Sequence, residues 1–258
     1  MSTFLNASPI FGPVRSRRLG VSLGVNMMPA EGKICSFDCL YCENGFNAER
    51  VCGKKHNSAE LVAAELEAKL REMGASGELP DVITFAGNGE PTAAPGFPEA
   101  IRRAVALRDE LAPKAKIAVL SNGTYAARPE VHDALMLVDD NILKLDTVDA
   151  GFIQLLDRPV GPYDVERQIE AFAAFEGHVI VQTIFLCGEY EGTSCDNTGE
   201  QYVGPWLAAL ERIKPQAATI YTIARETPAS GLQKAPAEAL DAIAARVRTL
   251  GIPCQASY

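Results

Sequence analysis

Hydrophobic and polar positions along this chain form two patterns that alternate. Short runs rich in Val, Ile, Leu and Phe predict strands, and longer stretches with apolar residues three or four positions apart predict helices. The predicted strands are 21–28, 81–86, 116–120, 141–145, 179–185 and 218–223, with a further candidate at 252–256. The predicted helices are 58–73, 97–111, 129–137, 164–175, 203–213 and 236–250.

Start and stop residues support these helices. Ser58 and Asp164 are candidate N-caps, because a short polar side chain can accept a hydrogen bond from the first turn. Gly74 and Gly251 follow two of the helices and are stop signals. The remaining long segments are predicted as an irregular arm (1–20), a loop with a helical turn (151–162) and a long polar loop (187–200).

Strands that alternate with helices indicate βα units and a parallel sheet, so the expected fold class is α/β. Right-handed crossovers would give an open six-unit barrel or a doubly wound sheet, and periodicity alone favours neither. A length of 258 residues suits one domain over 1–258, with 1–20 as an N-terminal arm.

Composition and charge narrow the classes of function. A net charge of -9 gives no strong nucleic-acid footprint, since such proteins are usually basic. We find no apolar run of about 18 residues and no apolar leader region, so we expect no membrane span and a soluble, cytoplasmic protein. Seven cysteines, an odd number, favour a reducing compartment over a disulfide framework.

Three cysteines, Cys35, Cys39 and Cys42, form a CxxxCxxC pattern. Thiolates are soft ligands that select zinc or iron–sulfur clusters. A structural zinc site needs four ligands, and so does an ordinary electron-transfer cluster. Three thiolates would hold a [4Fe–4S] cluster with one iron left open for chemistry. The alternatives are a zinc site completed by His56 or Cys52, or unconnected buried thiols.

Polar residues follow the second predicted strand. Glu90 comes directly after Gly87, Asn88 and Gly89, where glycines allow a ligand to approach the backbone closely. A carboxylate and backbone carbonyls there would suit an ammonium group. The alternative is an ordinary turn in which Glu90 lies favourably near a helix N-terminus.

Polar residues also follow the later strands. Ser121 and Asn122 end the third strand, where the alternative is a simple Asn-Gly turn. Lys144 and Asp146 lie two positions apart on the fourth strand, so they share a face, and the alternative is an internal ion pair. An N-terminal arginine cluster, which is either an anion clamp or a solvated patch, comprises Arg15, Arg17 and Arg18. The other weaker candidates are Gln182, Thr183, Arg225 and Glu226. The other cysteines, which lack any CxxC pair, are Cys52, Cys187, Cys195 and Cys254.

Several of these motifs occur together, and together they resemble one family. They are GPVRSRRLG, the octet CSFDCLYC, GNGEPT, SNGT, the segment 157–159 and YTIARETPASGL. They resemble the radical S-adenosylmethionine (radical SAM) superfamily, and within it the short Fe–S oxidoreductase group related to wybutosine-synthesis enzymes. The resemblance implies a partial (β/α)6 barrel of parallel strands, and it implies two cofactors, a [4Fe–4S] cluster and S-adenosyl-L-methionine (SAM).

The resemblance also implies roles for individual residues. Cys35, Cys39 and Cys42 would ligate the cluster. The residues implied to contact SAM are Tyr41, Asn88, Gly89, Glu90, Ser121, Asn122 and Asp146. Together they would contact its adenine, its methionine amino group and its ribose or carboxylate. Asn88 replaces the first glycine of the Gly-Gly-Glu element seen in the superfamily, so only Gly89 and Glu90 match it strictly.

The implied function is reductive cleavage of SAM and removal of hydrogen from an unidentified substrate. A small molecule or a modified nucleoside is the expected substrate, and a peptide side chain stays open. An external electron donor is the expected partner. The alternatives are an activase that makes a radical on a partner protein, and a non-enzymatic metal or electron-transfer protein.

Overall fold

The computed structural model describes residues 4–16, 20–50, 53 and 55–258. The chain divides into two compact units. The N-terminal unit comprises Leu5–Cys35 and Arg50–Ile142, and the C-terminal unit comprises Met1–Phe4, Ser36–Glu49 and Leu143–Tyr258. The expectation of a single domain stays a prediction.

The strands and α-helices of the N-terminal unit follow the order ββαβαβα, which is a first hairpin followed by βα units. Its strands are β1 (Ile10–Ser16), β2 (Gly20–Val25), β3 (Val82–Phe85) and β4 (Lys116–Ser121). Its helices are α1 (Ala59–Ser76), α2 (Phe97–Leu111) and α3 (Pro129–Leu135). The strands lie in chain order, with β1 antiparallel to β2 and with β2, β3 and β4 parallel.

Apolar side chains between the helices and the strands form the core of this unit. Phe85 of β3 packs edge to face on Phe97 of α2, with ring centroids 6.1 Å apart. Ser58 caps α1 as predicted, since its hydroxyl accepts from the backbone N–H of Leu61 at 3.2 Å. The predicted stop at Gly74 is wrong, because α1 continues to a left-handed cap at Gly77.

The interpretation of 1–20 as an irregular arm is wrong for Ile10–Ser16, which forms β1. The register shifts between Phe11 and Val14, which accommodates Gly12 and Pro13 in the strand. Pro13 has no backbone N–H, and this costs little at an irregularity on an outer strand. Arg17 and Arg18 lie outside the described residues.

The longest segment of the C-terminal unit begins at Leu143, within β5 (Asp140–Lys144). Its helices are α4 (Ala150–Leu156), α5 (Val165–Ala173), α6 (Glu200–Ile213) and α7 (Ala237–Thr249). Its other strands are β6 (Ile180–Ile184), β7 (Leu186–Tyr190), β8 (Thr193–Ser194), β9 (Ala217–Tyr221), β10 (Leu232–Lys234) and β11 (Cys254–Ser257). Strands β6 and β11 flank β9 and run parallel to it.

Trp206 of α6 is a large, buried side chain in the core of this unit. Its ring meets Phe185 edge to face at 5.4 Å, and its indole N–H donates to Leu145 O at 3.0 Å and to Thr183 Oγ1 at 3.1 Å. Thr183, a weaker site candidate in the sequence, is fully buried as part of this arrangement. A buried indole needs such a partner, so Thr183 supports packing.

The predicted polar loop 187–200 is wrong in part, because it contains most of β7, all of β8 and the start of α6. Strand β7 pairs antiparallel with β8 and with β10. Gly188 and Gly231 allow the close approach, since a Cβ added to Gly188 would lie 2.1 Å from Gly231 O. These strands are short and polar, so they lack the apolar alternation that reveals a strand.

The loop with a helical turn predicted at 151–162 contains most of the short helix α4, so the helical turn is confirmed. Asp149 caps this helix, and its carboxylate accepts from the backbone N–H of Phe152 at 2.7 Å.

The six predicted strands and the six predicted helices are otherwise confirmed, with shifted ends, and the candidate strand at 252–256 corresponds to β11. No helix in the described part of the chain is long and apolar enough to cross a membrane.

The cap of α5 gives a stability prediction. Asp164 Oδ1 accepts from the backbone N–H groups of Glu166 at 3.0 Å and Arg167 at 3.3 Å. We expect Asp164→Ala to lower the free energy of unfolding by about 1 kcal/mol, because both donors lose their acceptor. Asp164→Asn keeps an acceptor oxygen and should stay within about 0.5 kcal/mol of the wild type. Urea denaturation measures both, and equal stability of the two variants would contradict the capping role.

Candidate functional site

In the N-terminal unit, a backbone bridge holds the residue before Cys35 against the glycine-rich turn. The N–H of Ile34 donates to Asn88 O at 3.1 Å, and the N–H of Glu90 donates to Ile34 O at 2.9 Å. Gly89 lies between these bonds with φ 143°, and a Cβ there would be 2.0 Å from Ile34 O. Only glycine fits this position, so the turn and the first cysteine are fixed together.

The carboxylate of Glu90 is buried and joins the ends of β3 and β4. Its Oε1 accepts from Thr92 N at 2.9 Å, Thr92 Oγ1 at 2.5 Å and Ser121 Oγ at 2.7 Å. Its Oε2 accepts from Asn122 N at 2.7 Å. Burial raises the pKa of Glu90, and these hydrogen bonds act in the opposite direction.

The side chain of Asn122 connects this network to Cys35. Its Nδ2 lies 3.8 Å from Cys35 Sγ, and its Oδ1 accepts from Thr124 N at 3.0 Å. Ser121 Oγ also accepts from Gly123 N at 2.9 Å. The structure therefore brings four predicted site residues together in one unit: Cys35, Glu90, Ser121 and Asn122.

Asn88 has a supporting position in the same unit. Its fully buried side chain donates to Asn6 O at 3.0 Å and Pro29 O at 3.1 Å, and it accepts from Asn6 N at 2.7 Å. Asn26 Oδ1 accepts from the backbone N–H groups of Asn88 at 3.3 Å and Met28 at 2.9 Å. A contact between Asn88 and SAM stays a prediction. Sequence reasoning missed Asn26, because the strand predicted over 21–28 included it, whereas β2 ends at Val25.

In the C-terminal unit, the loop that carries Cys39 and Cys42 lies along the end of α4. The N–H of Leu40 donates to Leu156 O at 2.9 Å, and the side chain of Leu40 is fully buried. A tight turn follows, in which the N–H of Cys42 donates to Cys39 O at 3.2 Å. The buried leucine between two cysteines therefore anchors the loop.

Lys144 places a cation directly at the sulfur of Cys39. Its Nζ lies 3.0 Å from Cys39 Sγ, 2.6 Å from Asp157 Oδ1 and 3.2 Å from Asp146 Oδ2. Burial would lower the pKa of Lys144, but the two carboxylates outweigh it and raise that pKa well above the usual value. Burial raises the pKa of Asp157 to about 7, against the effect of the lysine.

Tyr41 and Asp146 are bound to each other in this unit. The Tyr41 hydroxyl donates to Asp146 Oδ2, and Asp146 Oδ1 accepts from Ile184 N at 3.0 Å. Burial and the neighbouring carboxylate raise the pKa of Tyr41 well above its usual value. The internal ion pair considered for Lys144 and Asp146 is therefore present. Contacts of Tyr41 and Asp146 with SAM stay predictions.

The weaker candidates are less informative. Arg225 Nη1 donates to the exposed carboxylate of Glu43 at 2.5 Å, and its guanidinium lies 5.8 Å from the ring centroid of Phe4. Glu226 is exposed, and Gln182 lies on β6 as predicted. An exposed ion pair of this kind contributes little to stability.

The surroundings of the cysteine sulfurs bear on the choice between a single metal ion and a cluster. Among the described residues, no group of three or more His, Cys, Asp or Glu side chains is arranged to hold one metal ion. Cys52 lies outside the described residues. A [4Fe–4S] cluster does not require convergence, because each thiolate binds a different iron. Cys35 Sγ and Cys39 Sγ each lie near an N–H donor, from Asn122 and Lys144 respectively.

The three other described cysteines have thiols whose pKa is raised. Burial raises the pKa of Cys187 and Cys195, and it raises the pKa of Cys254 to about 11. A thiol that stays protonated is a poor metal ligand.

Comparison with known families identifies the chain. A family model described as the radical SAM superfamily matches residues 32–191, which is more than half of the chain. The chain belongs to the radical SAM superfamily. The members of this superfamily are enzymes that use a [4Fe–4S] cluster and SAM. The family resemblance and the two cofactors predicted from the sequence are therefore confirmed.

Two relatives are named as UPF0026 proteins. One, from Methanocaldococcus jannaschii, is 31% identical over 181 residues, which cover 68% of this chain and 53% of the relative. The other, from Synechocystis sp., is 31% identical over 210 residues, which cover 80% of this chain and 72% of the relative. The chain thus spans about half the length of the first relative.

Solved structures with low sequence identity share the fold. A radical SAM methyltransferase from Sphaerobacter thermophilus has a TM-score of 0.66 at 18% identity, over 92% of this chain and 66% of that one. TYW1 with a lysine-pyruvate adduct bound has a TM-score of 0.59 at 13% identity, over 88% of this chain and 73% of that one. The predicted α/β fold of parallel strands, of the partial-barrel type, is confirmed.

The bridge at Gly89 gives a prediction for the radical SAM site. We expect Gly89→Ala to lower the free energy of unfolding by about 2 kcal/mol or more, because the new Cβ meets a carbonyl oxygen and φ is unfavourable. Gly161→Ala is the control, since its Cβ meets nothing within 4 Å, and it should change stability by no more than about 0.5 kcal/mol. Chemical denaturation compares them. A stable Gly89→Ala protein would show that the bridge is not constrained.

The network at Glu90 gives a second prediction. We expect Glu90→Gln to lower the free energy of unfolding by about 1–3 kcal/mol in the absence of SAM, because an amide N–H₂ would face groups that donate to the carboxylate. Glu78→Gln, at an exposed position, is the control. If Glu90→Gln left the stability of the SAM-free protein unchanged, that result would show that the carboxylate does not stabilise the ends of β3 and β4.

Proposed function

We propose that this protein is an enzyme in which Cys35, Cys39 and Cys42 hold a [4Fe–4S] cluster with one iron left for SAM. When bound, the reduced cluster supplies the electron that cleaves SAM, and the resulting 5′-deoxyadenosyl radical removes a hydrogen atom from the substrate. A small molecule or a modified nucleoside is the proposed substrate.

One observation carries this proposal. In the N-terminal unit, Cys35 is connected to the glycine-rich turn through the backbone of Ile34 and to the end of β4 through Asn122. A predicted cluster ligand and the predicted binding region for the methionine end of SAM are therefore neighbours in space. A structural zinc site would have no use for a glycine turn and a buried carboxylate beside its ligand.

The charge of Glu90 supports a cationic ligand. Its carboxylate is buried, and no Lys, Arg or His in the described part of the chain forms an ion pair with it. Its Oε2 accepts one hydrogen bond, which leaves room for another donor. SAM carries an ammonium and a sulfonium, so its methionine end would supply the positive charge that this carboxylate lacks.

Tyr41 and Asp146 would hold the other end of the cofactor. The hydrogen bond from Tyr41 to the buried Asp146 fixes the orientation of the tyrosine ring, and the carboxylate is fixed in turn by Ile184 N. A fixed aromatic ring gives a flat surface on which an adenine can stack. Burial of the surrounding groups would exclude water from the radical chemistry.

The charge of the chain guides the choice of substrate. A net charge of -9 disfavours a large nucleic acid, whose binding depends on neutralised phosphates, and leaves smaller substrates preferred. The solved structure of SuiB bound to precursor peptide SuiA matches this chain with a TM-score of 0.63 at 14% sequence identity. This likeness concerns the fold alone, so a peptide remains the second choice.

Anaerobic reconstitution tests the proposal. We expect the protein to take up iron and sulfide, to give a [4Fe–4S]⁺ EPR signal after reduction, and to change that signal when SAM is added. Serine variants of Cys35, Cys39 and Cys42 should each lose the cluster, because a cluster held by only two cysteines lacks a protein ligand. Cys254→Ser is the matched control and should keep it.

Other outcomes would point to the rival functions. One bound zinc per chain, or a cluster signal that ignores SAM, would indicate a non-enzymatic metal or electron-transfer protein. A stable complex with a partner that acquires the radical would indicate an activase. Release of 5′-deoxyadenosine in the presence of reductant would support the enzyme.

A further inference from the structure

A buried lysine in the C-terminal unit is not explained by SAM binding. Lys144 Nζ lies 3.0 Å from Cys39 Sγ, and its side chain is 12% exposed. The ammonium also lies 4.9 Å from the ring centroids of both Phe37 and Tyr41. Two aromatic rings, a sulfur and two carboxylates therefore surround this cation, so its position is fixed.

Three polar groups surround the ammonium. Its Nζ donates to Asp157 Oδ1 at 2.6 Å and to Cys39 Sγ at 3.0 Å, and it forms an ion pair with Asp146 Oδ2 at 3.2 Å. A buried cation costs free energy unless it is paired, and a single carboxylate would satisfy that need. Two carboxylates from different segments instead hold the ammonium at the sulfur.

We propose that Lys144 is a positioning residue that acts through Cys39 and raises the reduction potential of the cluster. This inference rests on the proposed function, because it requires Cys39 to be a cluster ligand. The cluster gains one electron from the external donor, and Lys144 keeps its proton and forms no covalent bond. A positive charge and an N–H···S hydrogen bond stabilise the more negative, reduced state.

The arrangement makes Asp157 the opposite control. Asp157 and Lys144 are joined by the shortest contact of the group, and they carry opposite charges. Removal of the lysine charge should lower the potential, whereas removal of the Asp157 charge should raise it. General damage to the structure would not shift the potential in opposite directions for two residues that touch each other.

The test measures the midpoint potential of the full chain after anaerobic reconstitution, by EPR-monitored redox titration without substrate at mildly alkaline pH. The variants are Lys144→Met, Asp157→Asn and the double variant, which removes the buried pair together and keeps the net charge. Lys144→Gln keeps a donor without the charge. Lys234→Met is the control, since Lys234 is an exposed lysine in β10 of the same unit.

We expect Lys144→Met to reduce the equilibrium constant for reduction about tenfold, which is a shift of about 59 mV to more negative potential for a one-electron couple. Asp157→Asn should shift to more positive potential, and the double variant should lie between the two. Lys144→Gln should shift less than Lys144→Met. Lys234→Met should match the wild type.

The outcomes separate this inference from the proposed function. If the wild type takes up no [4Fe–4S] cluster, the proposed function itself fails. If the wild type holds a cluster whose potential is the same in Lys144→Met, only the role of Lys144 is overturned. A shift of Lys144→Met and Asp157→Asn in the same direction would also overturn it.

Discussion

The candidate site of the N-terminal unit depends on the backbone bridge between Ile34 and Gly89. Two hydrogen bonds join the segment before Cys35 to the turn after β3, and they require a residue without a side chain at position 89. The bridge places Glu90 beside the segment that carries Cys35. The carboxylate then fixes Ser121 and Asn122 through hydrogen bonds. Each later contact of the unit's polar network follows from this first one.

The two units stabilise their buried charged side chains in different ways. In the N-terminal unit, Glu90 is stabilised by neutral donors alone, so its negative charge is not balanced by the described part of the chain. In the C-terminal unit, Lys144 is balanced by Asp157 and Asp146. A carboxylate held by neutral dipoles can still accept a cationic ligand, whereas a cation between two carboxylates has little to gain from an anionic one. The difference supports SAM binding at Glu90 and a supporting role for Lys144.

Sequence patterns predicted the elements that are apolar and regular, and they missed those that are neither. The parallel strands and long helices bury apolar faces, so periodicity reveals them. Strands β7, β8 and β10 are short, polar and formed around Gly188 and Gly231, and no local pattern indicates their pairing. Strand β1 was hidden for a similar reason, because Gly12 and Pro13 are turn residues that a register shift accommodates. Long-range pairing decided these cases.

The candidate site shows the same division between local and long-range information. The cysteine spacing and the polar residues at strand ends were visible in the sequence because each is a local pattern. The contact of Lys144 with Cys39 joins residues 105 positions apart, and that of Asp157 with Lys144 depends on where α4 ends, because Asp157 is its C-cap. The sequence indicated only that Lys144 and Asp146 share a strand face. Their placement makes the strand a support for the cysteine loop, because the same ammonium that satisfies two buried carboxylates also reaches the sulfur.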